Sequence, residues 1–317
     1  MIEDRHKEAL TDLLTFLQDR RYRFVTPTPT THARVVARAT KQQAQDLRDV
    51  FGWNLPFDPA LLDDAVLDGL RTADAVETVA ADLLRSRLRV SSLDGDLFLH
   101  SAYPTDSKEA VFFGPDSYRF ATLIRRQLAQ QPAPAGARLV DIGTGAGVGA
   151  IAAARVSTGL EVAMTDVNPG AIQLARINAQ VAGVPTTLHL SDDLSPIGGE
   201  LDVVLANPPY IIDEAGRAYR DGGGLHGGAV SLQMAKGAVP RLARGGRFIL
   251  YTGSAIVDGR DALCDSLAKL AHHHRCTLDY AELDPDVFGE ELEGDAYRNV
   301  ERIALVSAVI ARPQDAS

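Results

Sequence analysis

Residues 138–150, RLVDIGTGAGVGA, constrain the fold more than any other stretch. Five residues of strand character end on Gly143, Gly145 and Gly147, and a helical pattern starts at Val148. Glycine takes left-handed backbone angles without steric cost, and its missing Cβ lets a ligand reach the amides. A helix start just beyond such a loop favours a carboxylate or phosphate. A dinucleotide fingerprint would need a glycine at 148, where Val148 stands. Downstream the patterns alternate. Leu160–Thr165, Thr186–Leu190, Leu201–Ala206 and Arg247–Thr252 read as strands, and Gly170–Ala182, Ala229–Leu242 and Arg260–His272 as helices. Thr277–Leu283 and Arg302–Ile310 read as strands with no helical pattern between them. Alternating units predict an α/β fold, a doubly wound, mostly parallel sheet with helices on both faces and an antiparallel pair at one edge.

Upstream the sequence reads differently. Glu8–Leu17, Ala60–Leu70 and Ala75–Leu88 carry amphipathic helical spacing, and 87–101 carries a hairpin signal, Asp94-Gly95, between two strand-like runs. Helix, helix and hairpin together suggest a winged-helix-like unit whose would-be recognition helix, DAVETVAADLL, is acidic. Residues 131–137, QPAPAGA, read as a short linker, and the tail ARPQDAS as frayed. A formal net charge of −10 argues against coating nucleic acid by bulk charge. A local exception is 20–41, where Arg20, Arg21, Arg23, Arg34, Arg38 and Lys41 face no acidic residue. Cys264 and Cys276 have no metal-ligand spacing and read as reduced thiols. His272-His273-His274 reads as a helix C-terminus, since consecutive residues face different ways. With no apolar run of membrane-spanning length and no signal-peptide pattern, a cytoplasmic protein without membrane or metal is expected.

Two further acids sit at strand ends. Asp166 closes VAMTD, where a carboxylate can accept from ribose hydroxyls; Asn168 is free to cap the next helix in its place. Asp192 or Asp193, after the third strand, can accept from an adenine amino group. Glycine loop, ribose acid and adenine acid together resemble the class I S-adenosylmethionine-dependent methyltransferase fold over roughly residues 110–312. The resemblance implies a seven-stranded sheet and S-adenosylmethionine as cosubstrate. It would be held by Asp141, Gly143, Thr144, Gly145, Gly147, Asp166, Val167, Asp192 or Asp193, and Asn207.

The fourth strand ends LDVVLANPPY. Asn207-Pro208-Pro209-Tyr210 at that place resembles the tetrad of methyltransferases acting on a planar nitrogen. Such a nitrogen shares its lone pair with a π system and is a poor nucleophile. The Asn207 side-chain oxygen and the Pro208 carbonyl can both accept from one NH2 group, orienting it and stabilising developing charge. Proline removes a competing donor, and Tyr210 can stack on the flat acceptor. No strong base is needed, because the nitrogen becomes acidic once methylated.

VFFGPDSYRFATLI (111–124) is similar to the segment preceding this fold in HemK-like glutamine methyltransferases: Pro115, Asp116 and Ser117 match, and Gly114 replaces a basic residue. The resemblance implies a mainly helical N-terminal domain, 1–109, that recognises the substrate, and a methyltransferase domain, 110–317. The acceptor it implies is a protein glutamine amide in a translation factor or ribosomal protein. The strand RFILYTGSA departs from the bacterial members, with Tyr251 and Thr252 where a glutamate is usual. Alternatives are a base amine in RNA or DNA, reached through the basic stretch 20–41, a small-molecule nitrogen, or a non-enzymatic scaffold. Asp221–Gly224 and His226 read as a mobile substrate loop, and Glu290, Glu291 and Tyr297 as a possible far edge.

Overall fold

The computed structural model describes residues 2–80, 82–103, 105, 107, 109–213 and 219–314, so the last three residues of the tail lie outside it. The chain opens with helices α1 (Ile2–Asp19), α2 (Pro29–Val36), α3 (Leu47–Phe51) and α4 (Asp64–Thr72). Two hairpins follow, β1 (Val76–Ala80) with β2 (Leu83–Ser86) and β3 (Leu88–Leu93) with β4 (Asp96–Ser101), then helix α5 (Pro115–Gln130). Next come β5 (Arg138–Ile142), α6 (Val148–Val156), β6 (Glu161–Asp166), α7 (Pro169–Val181), β7 (Thr186–Leu190) and β8 (Leu201–Ala206). The chain continues through α8 (Ala229–Ala238), β9 (Leu242–Val257), the two-residue β10 (Arg260–Asp261), α9 (Ala262–His273), β11 (Thr277–Asp284) and β12 (Arg302–Ala311). No described helix is long and apolar enough to cross a membrane.

The central sheet runs β11-β12-β9-β8-β5-β6-β7, with β10 paired to β9. The β9-β8, β8-β5, β5-β6 and β6-β7 pairs are parallel, and β12 lies antiparallel between β9 and β11. This is the expected doubly wound sheet, seven strands along its main path, with its antiparallel edge. Side-chain alternation shows why both faces are covered. Leu139, Val203, Leu205, Ile249 and Tyr251 pack toward α5, α6 and the N-terminal helices. Their neighbours Val140, Val204, Phe248 and Leu250 pack toward α8 and α9, against Ala235, Ala238, Leu263 and Leu267. The order reverses between β5 and β8, so a crevice opens beyond the carboxyl ends of those two strands.

One expected helix is wrong. Ala75–Leu88 forms the β1-β2 hairpin, and the acidic helix of a winged-helix unit is therefore strand. Val76, Thr78 and Val79 are β-branched, which weakens a helix. A tertiary partner decides the matter: Phe57 and Leu84 exchange both backbone hydrogen bonds, at 2.8 and 2.9 Å. The β3-β4 hairpin stands where its turn signal placed it, with Asp94 and Gly95 at φ 53° and 96°.

The N-terminal elements pack on the sheet unit through α1, α7 and β4. Asn178, fully buried in α7, ties three parts together. Its side chain accepts from Leu99 N–H at 2.9 Å and donates to the carbonyls of Leu99, in β4, and Ala146, in the glycine loop.

Candidate functional site

The crevice at the sheet's switch point holds a cavity of about 490 Å³. Of the residues expected to hold the cosubstrate or form the tetrad, all but Gly147 border it: Asp141, Gly143, Thr144 and Gly145 on the loop, Asp166 and Val167 after β6, Asp192 and Asp193 after β7, and Asn207–Tyr210 after β8. Asp221 borders it too, whereas Gly222–Gly224, His226, Glu290, Glu291 and Tyr297 do not. A cleft of this size, apolar with a few convergent polar groups, suits a small organic ligand.

The loop takes its shape from its glycines. Gly143, Gly145 and Gly147 sit at φ 63°, 55° and 83°. A Cβ at Gly145 would project into open space, so its place at the cavity is free for a ligand. Asp141 is buried at the strand end, and its Oδ2 accepts from Thr144 Oγ1 at 2.8 Å and Ala150 N–H at 3.0 Å. Burial pushes its carboxyl up to about 7, against the pull of those two donors. Asp166 is buried too, and its carboxylate braces the loop, accepting from Gly145 N–H and Asn168 N–H, each at 2.9 Å. Burial raises its carboxyl as well. Asn168 caps α7, its Oδ1 accepting from Gly170 N–H at 2.8 Å. Of the two acids after β7, Asp193 is engaged by its own turn, accepting from Ser195 N–H and Ser191 Oγ. Asp192 is exposed at the cavity with no partner among the described residues.

In the tetrad the half-buried Asn207 side chain has no hydrogen-bond partner among the described residues, and no described donor reaches the Pro208 carbonyl. Tyr210 differs from its expected part as a free stacking surface. It is 7% exposed, and its hydroxyl donates to Asp116 Oδ2 at 2.7 Å. Its ring lies edge-on to Phe288 and fills the space a Cβ on Gly253 would need. Asp116 also accepts from Tyr251, through Oδ1 at 2.9 Å, and pairs with Arg119 at 3.3 Å. Burial raises both phenols. Tyr251, noted as a departure on its strand, is thus one of two phenols that share a carboxylate across α5, β8 and β9.

The loop expected to be mobile packs on the tetrad; residues 214–218 lie outside the described part. Gly222 N–H donates to the Ile211 carbonyl at 2.7 Å. A Cβ on Gly227, at φ 97°, would sit 2.2 Å from the Tyr210 carbonyl oxygen. Tyr297 is buried, accepting from Ile212 N–H at 2.8 Å, and Glu291 pairs with Arg220, which also approaches Asp213 at 3.6 Å. The brace at Asn178 escaped sequence reading. Its one signal is an amide inside the apolar run AIQLARINAQV of α7.

The chain matches the family model of the methyltransferase small domain over residues 119–257. It is 28% identical over 231 residues to the release factor glutamine methyltransferase of Deinococcus radiodurans, covering 70% of this chain and 77% of that one. It is 32% identical over 172 residues to the ribosomal protein L11 methyltransferase of Syntrophotalea carbinolica, covering 51% and 49% of the two chains. The crystal structure of Pyrococcus horikoshii PH0793 shares the fold, with a TM-score of 0.50 at 11% identity over 78% of this chain and 83% of that one.

Proposed function

Starting from a chain that is a class I S-adenosylmethionine-dependent methyltransferase, HemK-like in sequence, we propose that its acceptor is the side-chain amide of a protein glutamine. Bound S-adenosylmethionine supplies a methyl group made electrophilic by its sulfonium. The loop Gly143–Gly147 with Thr144 would hold that cosubstrate, with Asp141 offering a carboxylate to its amino group, Asp166 and Val167 serving its ribose, and Asp192, rather than the engaged Asp193, its adenine.

The observation that carries the acceptor reading is the pair of unused acceptors just past the end of β8. Asn207 Oδ1 and the Pro208 carbonyl border the same cavity as the glycine loop, and neither is satisfied within the described protein. Two acceptors side by side fit the two hydrogens of an NH2 group. Holding it there sets the direction of the nitrogen lone pair and offsets the positive charge that develops on methylation. Pro209 stiffens the turn, and the Asp116–Tyr210 bond keeps it in place. The proton leaves to solvent after transfer. Residues 1–109 form the part that recognises the acceptor protein, a translation factor or ribosomal protein, and 110–317 the part that moves the methyl group. The two relatives named for such acceptors support this reading.

Asn207→Ala tests it. Transfer is expected to fall by about 100-fold or more, the size of losing one polar contact made in the transition state. S-adenosylmethionine affinity, measured by calorimetry, stays nearly unchanged. Equal loss of both would remove Asn207 from acceptor orientation. Tritiated S-adenosylmethionine with a cell extract identifies the acceptor class: the label should be protease-sensitive. RNase-sensitive label would assign a base amine, and label in neither macromolecule a small molecule.

A further inference from the structure

Between α1 and α2, residues 22–28 belong to no sheet, yet they alternate as a strand does and leave one side open. Side chains alternate along it: Tyr22, Phe24 and Thr26 are buried, whereas Arg21, Arg23 and Val25 are exposed, Val25 by 67%. On the inner side three backbone groups are held by the fold. The Phe24 carbonyl accepts from Ser92 N–H at 2.8 Å, Phe24 N–H donates to Ser92 Oγ at 3.0 Å, and Thr26 N–H donates to the Tyr118 hydroxyl at 2.9 Å. The N–H and carbonyl groups of Arg23 and Val25, which alternate to the outer side, have no partner among the described residues. An extended segment with one row of backbone groups unpaired is a template for another strand.

The edge also carries unbalanced charge. Arg20 pairs with Asp63 and Lys41 with Asp49, but Arg21, Arg23, Arg34 and Arg38 have no carboxylate partner among the described residues. In a chain of net charge −10 the exposed, unpaired Arg21 and Arg23 make this segment locally cationic, which selects an acidic partner. The segment leads to the site, for Pro29, four residues past Val25, borders the cavity.

We propose that an extended, acidic segment of the acceptor protein adds to this edge as a strand. Its carboxylates meet Arg21 and Arg23, and its glutamine is carried toward the cavity past Pro29. The unpaired peptide groups favour a protein chain over RNA, which would use the arginines but not the strand edge. This inference rests on the protein-amide reading above.

The test uses two fluorescein-labelled synthetic peptides. Each has one glutamine next to a stretch in which valine alternates with glutamate or, in the second, with lysine. Anisotropy is read on the full chain with S-adenosylhomocysteine present. The glutamate peptide should bind and the lysine peptide should not, with affinity falling as salt rises. Arg21→Glu with Arg23→Glu should weaken the glutamate peptide by about tenfold or more. Val25→Pro should weaken it too while leaving the melting temperature unchanged, since that N–H holds nothing inside the fold. Equal binding of the two peptides, binding of neither, or full affinity in Val25→Pro overturns the proposal. So does a single-stranded RNA oligomer that binds more tightly than the glutamate peptide and is lost in the same arginine variant. Because binding is read without methyl transfer, its failure is distinct from failure of the acceptor reading, which the RNase and protease treatment decides.

Discussion

Asp116→Asn separates a structural bond from a bystander at the tetrad. Asp116 accepts from Tyr210 at 2.7 Å and Tyr251 at 2.9 Å, and both phenols are buried, at 7% and 0% exposure. A hydrogen bond to a charged group contributes about 1.5–3 kcal/mol, and one between neutral groups about 0.5–1.5 kcal/mol. The asparagine keeps one acceptor oxygen and turns an NH2 donor on the other phenol. One bond therefore drops from charged to neutral and the other is lost, about 2–4 kcal/mol together. The Arg119 pair adds little, because that guanidinium is half exposed. Urea unfolding followed by circular dichroism at 222 nm should show the loss as a lower midpoint with an unchanged slope. Tyr210→Phe in the Asp116→Asn background should cost less than in wild type, since its partner is already weakened. A loss below about 0.5 kcal/mol, the range of neutral surface changes, or strict additivity of the two substitutions, would refute the network. Transfer should slow in parallel, through kcat more than through S-adenosylmethionine affinity.

Gly227→Ala should be severely destabilising and abolish transfer, because its Cβ would lie 2.2 Å from the Tyr210 carbonyl at a positive φ, whereas Gly224→Ala, with nothing within 4 Å, should behave as wild type in both assays. Asp141 binds its proton more tightly in the fold, with the carboxyl raised from 3.8 to about 7, than in the unfolded chain. Its contribution to stability therefore falls as pH rises from about 4 to about 7 and is flat above. Asp141→Asn should accordingly gain on wild type in urea midpoint between about pH 4 and about pH 7, and a gap independent of pH would contradict the burial argument. S-adenosylmethionine affinity of the wild type should move the other way, rising through about pH 7 as the carboxylate forms, with calorimetry in two buffers reporting the released proton.

What the sequence determined by itself is what local chemistry and periodicity can fix. Three glycines with a strand before and a helix after left one backbone path, and alternating runs of apolar strand and amphipathic helix specified a doubly wound sheet. The Asp94-Gly95 hairpin likewise rests on two residues that tolerate positive φ. The positions around the cavity were legible for the same reason: strand ends in such a sheet converge on one crevice. Contacts between distant segments were beyond local pattern. Ala75–Leu88 carries a helical stripe, yet Phe57, far back in the chain, captures Leu84 and makes it strand. Tyr210 looked free to stack until Asp116, 94 residues away, claimed its hydroxyl. Asn178 is an ordinary amide until the hairpin and the glycine loop meet on it. Whether a polar atom is spent inside the protein or left for a ligand depends on which neighbours the folded chain brings within about 3 Å, and that only tertiary packing decides.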